Sequence, residues 1–216
     1  PTSSAEDQVL LVARRDQLVL EPAGGWNALG MRGTCSLGYH LTATVSPDAV
    51  LPDDYATILA ESMGPACHVL WAAAWLGIAR SSVDAARRFV QAAARKSIDT
   101  VPPGAAHLVG LVAELQAFES LVRDAAHEFT LRADNRIALS SIGYAVSVNN
   151  LKVTASTLVT QIVAGALRIT GISGYRNDGP YTVARNFRDA HGAAVMVSND
   201  RIIAHNARLV LMQKGS

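Results

Sequence analysis

Two residue types that anchor many functional sites are nearly absent from this 216-residue chain: cysteine occurs only at 35 and 67, and lysine only at 96, 152 and 214. Cys35 and Cys67 lack CxxC or ligand spacing, which leaves no disulfide framework or zinc site and leads us to expect buried free thiols in a reducing cytoplasm. The net charge is +1 and the basic residues are dispersed, so there is no footprint for nucleic acid. His68, His107, His127, His191 and His205 show no ligand spacing, and no metal is expected. The apolar run Val69 to Ile78 is too short and too alanine-rich to cross a bilayer, and there is no signal-peptide pattern, so no membrane association is expected. Internal repeats and low-complexity tracts are missing too. Pro1 in place of a Met leads us to expect that the chain is a segment of a longer polypeptide.

What is present is a composition suited to a packed core, with 50% hydrophobic and 17% charged residues. Val9 to Arg14 and Leu18 to Glu21 read as two strands joined by a tight turn at Arg15-Asp16-Gln17. Gly38 to Val45 alternates like a third strand. Three strands cannot enclose a core, so residues 1–51 are expected to be the end of a larger, β-barrel-like domain. Pro47 and Pro52 bound a linker, and Asp53-Asp54 suits the start of a short helix reaching Ser62.

From Pro65 the apolar period becomes 3.6. Val69, Ala72, Ala73, Leu76, Val83, Ala86 and Val90 mark a helix ending near Lys96. Leu108, Leu111, Val112, Leu115, Phe118, Val122, Ala125 and Phe129 mark a second. Asp134-Asn135 is read as the cap of a third, running to Ile169 through Ile142, Val146, Val153, Leu158, Ile162 and Ala166. A fourth is expected from Tyr181 to Leu211, with a break near Ser198-Asn199. Trp71 and Trp75, four apart, are expected to pack. The fold class is therefore mainly α, an antiparallel four-helix bundle over residues 52–216 preceded by a few strands.

Two motifs add chemistry to this outline. Gly171-Ile-Ser-Gly174-Tyr175 is followed by the turn Asn177-Asp178-Gly179-Pro180 and by Arg185-x-x-Arg188-Asp189-Ala190. Far upstream stands Gly25-Trp-Asn-Ala-Leu-Gly30-Met31-Arg32-Gly33-Thr34-Cys35-Ser36. Together, in this order and with a helical region between them, they resemble the acyl-CoA dehydrogenase family: the first motif its C-terminal signature, the second the close of its middle β domain. The resemblance covers nearly the whole chain, but about the C-terminal half of a typical member.

It implies an FAD-dependent oxidoreductase that desaturates an acyl thioester such as an acyl-CoA, with FAD lying between the β domain and the bundle of a homo-oligomer or of a heteromer with a related subunit. The family's pyrophosphate-binding arginine falls on Arg95, followed by Ser97, with Ile98 and Asp99 departing from the pattern. Arg95 could equally be a cation complementing a helix end. A second cofactor motif falls on Arg168 and Gly171, with arginine in place of the usual glutamine, so Arg168 is either a phosphate contact or a solvated helix-end charge. The catalytic glutamate of most relatives falls in the triplet Val197-Ser198-Asn199, and that of others on Cys67. Neither place carries a carboxylate. Asp200 and Glu61 are the nearest acids, each readable as a general base or as an ordinary surface or capping acid. The same departures suit a non-catalytic subunit of a heteromer, or a flavin monooxygenase on the same fold, which needs no α-proton base.

Overall fold

A computed structural model of the chain describes residues 8–96 and 100–213. The N-terminal part contains two strands, β1 (Leu18–Pro22) and β2 (Tyr39–Ala43), paired antiparallel with Leu20 opposite Leu41. The expected tight hairpin between Val9–Arg14 and β1 does not form. Residues 15–17 supply no glycine or asparagine for the left-handed positions of a two-residue hairpin. They make a single 3₁₀ turn in which the Gln17 side chain accepts the Arg14 amide at 2.8 Å. The Leu11 region instead bridges to Val50, through Val12 N to Ala49 O and Leu51 N to Leu10 O. Val19 and Leu41 stay more than half exposed, so no described layer covers this pair of strands.

The bundle begins with α1 (Tyr55–Ile58), whose N-cap Asp54 accepts the Thr57 amide at 2.9 Å, and a π-helical turn over Leu59–Met63. The long helices are α2 (Gly64–Ala94), α3 (Ala105–Arg132) and, after the short α4 (Arg136–Leu139), α5 (Ile142–Thr170). They are followed by the short α6 (Ile172–Tyr175), α7 (Ala184–Ala190) and α8 (Gly192–Val195), and by α9 (Asn199–Met212). Ala72, Ala79 and Ala86, seven apart on α2, have no exposed surface. Such small residues let α2 approach the Ala155, Val159, Ile162 and Ala166 face of α5 closely. Phe118 and Trp75 are the largest apolar side chains fully enclosed in this core. His68 of α2 lies against Val148 of α5, and both Val90 and Ile169 lie against Gly104, so α2 and α5 run parallel. By length and composition α3 and α5 would also qualify as membrane spans.

Three features differ from the sequence reading. Asn135 caps α4, not α5, and the helix is then interrupted because Ser140 and Ser141 turn their hydroxyls back onto the carbonyls of Arg136 and Ala138, both at 2.9 Å. Ser141 restarts it as α5. The buried face of α5 is Val148, Leu151, Lys152, Ala155, Val159 and Ile162, whereas Ile142 is exposed and Val146 and Val153 are half-buried. The fourth helix starts at Ala184 and has an unexpected break after Ala190, besides the break expected near Ser198-Asn199, which falls at residues 196–198, where Val197 takes a left-handed φ of 51°.

Candidate active site

The two motifs that are far apart in sequence meet in space. Asp189 of α7 accepts the amide of Met31 at 2.6 Å, and Trp26 donates its indole N–H to the Met31 carbonyl at 3.1 Å. Met31 itself is left-handed, with φ 52°. Gly30 is required here by proximity, since a Cβ would stand 2.1 Å from the Arg188 carbonyl oxygen. Arg188 in turn donates to Asn177 Oδ1 at 3.0 Å, tying α7 to the polar turn. Asn186 reaches back to Ser81 and Ser82 of α2 at 3.1 and 3.0 Å.

At the end of the bundle where α2 and α5 finish lie Arg95 and Arg168. A groove of 330 Å³ there is lined by His107, Gly110, Glu114, Gly165 and Arg168, among others. Arg168 and Arg95 are both exposed. Gly171 closes α5 with φ 55° and ψ −138°, a conformation restricted to glycine, and its Cα faces open space. An exposed guanidinium beside a backbone stripped of side chains suits a phosphate approaching closely. Glu114 and the terminal carbonyls of α5 suit the N–H groups of a heterocycle. The residues present therefore fit the phosphate and base end of a dinucleotide. Ser97 lies outside the described residues.

The two candidate bases are held apart. Glu61, on the π-helical turn, accepts Arg136 Nε at 2.6 Å and the Ser140 hydroxyl at 2.8 Å, and Arg136 also reaches Asp53 at 3.1 Å. These two carboxylates hold the Arg136 guanidinium above its usual range. Asp200 is exposed in the first turn of α9. The turn preceding it contacts Lys152, ten residues into α5 from Ile142, or about 15 Å of helix from the end at which Ser140 holds Glu61. One reacting carbon cannot be served by both acids. Against the expectation of two buried thiols, Cys67 is half-buried in α2 and Cys35 is exposed.

Sequence reasoning passed over the group that contacts the triplet. Lys152 has no exposed surface, and its ammonium donates to the Val197 carbonyl at 2.6 Å and to Asn199 Oδ1 at 2.7 Å. Its Nζ also lies 5.8 Å from the Trp75 ring centroid, and Asn199 donates to Ser156 Oγ at 2.9 Å. Among the described residues no carboxylate pairs with it. Burial pushes its ammonium from 10.5 down to about 8. His68, also buried, is lowered by desolvation. The signal was available in the sequence: Lys152 is a lone charge on the apolar stripe between Val148 and Ala155.

Residues 68–197 match the family model described as the acyl-CoA dehydrogenase, C-terminal domain. The chain belongs to that family. No curated protein matches it in sequence. Among solved structures, it is similar to the dibenzothiophene monooxygenase TdsC from Paenibacillus sp. A11-2 in complex with FMN and indole. There the identity is 19%, the TM-score 0.74, and the match covers 96% of this chain and 56% of that one. It is similar to a glutaryl-coenzyme A dehydrogenase bound to glutaryl-CoA, at 21% identity, TM-score 0.71, and 98% and 54% coverage. It is also similar to nitroalkane oxidase in complex with spermine, at 14% identity, TM-score 0.75, and 98% and 51% coverage. The chain spans about half the length of these structures. A dehydrogenase, an oxidase and a monooxygenase share the fold, so the fold does not choose among the reactions.

Proposed function

We propose that this chain is the helical half of a flavin-dependent oxidoreductase that binds FAD and acts on an acyl thioester such as an acyl-CoA. The observation that carries this reading is the joining of its two motif segments through Asp189 and Met31, which brings the end of the β part onto the bundle. Arg168, Gly171 and Arg95 would hold the pyrophosphate and adenylate end of FAD. When bound, FAD supplies the hydride or oxygen chemistry that no side chain can. The chain's own residues orient it and shape the pocket for the reacting carbons. By the family resemblance, those carbons lie beside Val197, Ser198 and Asn199.

A second reading, a flavin monooxygenase, is favoured by one observation. The triplet is neutral and is held by a lysine, while Glu61 is committed to Arg136. Desaturation then needs Asp200 or an acid from outside the described residues. The accessible surface, 13,962 Å² against about 9,600 Å² for a whole 22.8 kDa monomer, suits a chain covered by further polypeptide, of its own protein or of a neighbour, and the family resemblance is what supports an oligomer or a heteromer with a related subunit. A non-catalytic subunit remains the reading for a chain that binds no flavin.

The test is anaerobic mixing of the flavin-loaded protein with a panel of acyl-CoAs, for the parent, Asp200→Asn and Glu61→Gln. Bleaching of the flavin absorbance in the parent and Glu61→Gln, but not in Asp200→Asn, supports desaturation by this chain. Bleaching lost with Glu61→Gln would overturn the structural role of Glu61. No bleaching by any acyl-CoA, with one oxygen atom of O2 transferred to an organic substrate and the other reduced to water once reduced flavin is supplied, supports the monooxygenase.

A further inference from the structure

Three features that each lower stability coincide at one turn. A cation is sealed in the core with neutral partners only, although a methionine of similar volume would fill the space without the desolvation penalty. Val197, which is β-branched, adopts φ 51°. The helical run from Ala184 to Met212 is interrupted at residues 196–198, and Ser198 gives α9 no side-chain cap. Lys152 links all three, because it grips both ends of the turn: the Val197 carbonyl, and the Asn199 side chain in the first turn of α9. Held strain of this kind marks a backbone shape kept for use.

We propose that Lys152 is a positioning residue for the flavin reaction, holding Val197 to Asn199 in a turn, left-handed at Val197, that a continuous helix would erase. It touches no reacting atom and acts through the turn. The proposal rests on the flavin reading above, which sets the reacting end of the ligand beside this turn. Among the described residues the ionisable group that senses the Lys152 charge is His68 from α2, whereas Asp200, one residue beyond Asn199, is exposed on α9. The 197–199 turn and the adjoining residues of α5 carry none. His68, lowered by burial from 6.5, is already neutral where Lys152 titrates.

The experiment compares the flavin-loaded parent, Lys152→Met and Lys152→Gln. The Gln variant keeps a neutral donor on the turn. Backbone hydrogen exchange is followed at residues 196–203. The bound flavin is photoreduced with EDTA, and its reoxidation by oxygen is timed from pH 6.5 to 9.5, a reading that needs no substrate. The expected result for Lys152→Met is faster exchange confined to that stretch, retained flavin, and a reoxidation rate changed by about 100-fold. In Lys152→Gln exchange stays near the parent, while the parent's inflection near pH 8 disappears. Faster exchange with an unmoved rate and pH profile overturns the proposal and leaves Lys152 as a structural residue. Should Lys152→Met fail to fold, the Gln variant decides alone, since an inflection retained without the amine overturns it. A parent that takes up no FAD overturns the flavin reading and this proposal together, whereas flavin bound with an unmoved profile overturns the proposal alone.

Discussion

The Asp189 carboxylate lies 2.6 Å from the backbone amide of Met31, across 158 residues of sequence. Because Met31 is left-handed and Gly30 abuts the Arg188 carbonyl, the contact is a close docking of backbone on backbone with a carboxylate as its clasp. Asp189→Ala should therefore lose a charge-assisted hydrogen bond, about 1.5 kcal/mol in this half-buried setting, and Asp189→Asn less, because an amide oxygen still accepts. Gly30→Ala should do more damage than either, since its new methyl meets backbone that cannot rotate away. Urea denaturation gives the free energies, and tryptic cleavage at the exposed Arg32 reports release of the segment. Equal resistance of Gly30→Ala and the parent would show that residues 26–36 do not sit on α7.

Val197 offers the opposite sign. Its side chain is half exposed and contributes little packing, while its left-handed backbone costs a branched residue about 1–2 kcal/mol. Val197→Gly removes that strain but loosens the unfolded chain by about 0.5–1 kcal/mol. A net stabilisation of about 0.5 kcal/mol is expected, visible as a small rise in melting temperature. A fall of several degrees would mean that Val197 packs against something beyond the described residues.

How far the sequence reached depends on the kind of signal. The long helices were legible because Val83, Phe118 and Ile162 lie on 3.6-residue stripes with little polar interruption, and all three prove to be buried. The motif pair was legible because Gly30 and Asp189 are fixed by contact with each other's segment. The phase of α5 was half read: Ile162 and Ala166 of the expected stripe are buried, but Ile142 is exposed and Val146 and Val153 are half-buried, because apolar residues on α5 are not confined to its inner face. Lys152 was passed over for a related reason. A lone charge inside an apolar stripe reads as a solvated side chain unless its acceptors, Val197 and Asn199, are known to arrive from 45 and 47 residues away. The break expected near Ser198-Asn199 is present at residues 196–198, although no glycine or proline stands there, while the left-handed backbone of Val197 within it was not foreseen.

Lys152 also gives stability a pH dependence. Its ammonium is lowered to about 8 in the folded chain against 10.5 when unfolded. Between those values the unfolded chain binds more protons, so stability rises with pH across that window, by at most about 1.4 kcal/mol per pH unit. Below pH 8 the penalty of the buried charge is fully present. Lys152→Met should flatten the rise, so the parent gains on the variant between pH 8 and pH 10. Parallel denaturation curves for the two proteins across that range would show that Lys152 keeps its ordinary affinity for protons.

Arg168 separates a phosphate contact from an ordinary helix-end charge. Both readings predict an exposed guanidinium at the end of α5, so position alone does not decide between them. A helix-end charge interacts with the last carbonyls, worth about 0.3–1 kcal/mol of stability and screened by salt. A phosphate contact leaves the empty protein unchanged and weakens only the loaded one, by about 1.5–3 kcal/mol, or roughly 10- to 150-fold in FAD affinity. The cleaner comparison is FAD against FMN, since FMN lacks the adenylate end that the groove beside His107 and Glu114 would receive. Arg168→Ala should weaken FAD and leave FMN nearly unchanged, with no shift in the melting temperature of the flavin-free protein. Gly171→Ala, which forces a side chain into a conformation it avoids, should weaken FAD and also lower stability. A loss of stability in Arg168→Ala with FAD affinity intact would return Arg168 to the helix-end role and remove the groove from the cofactor site.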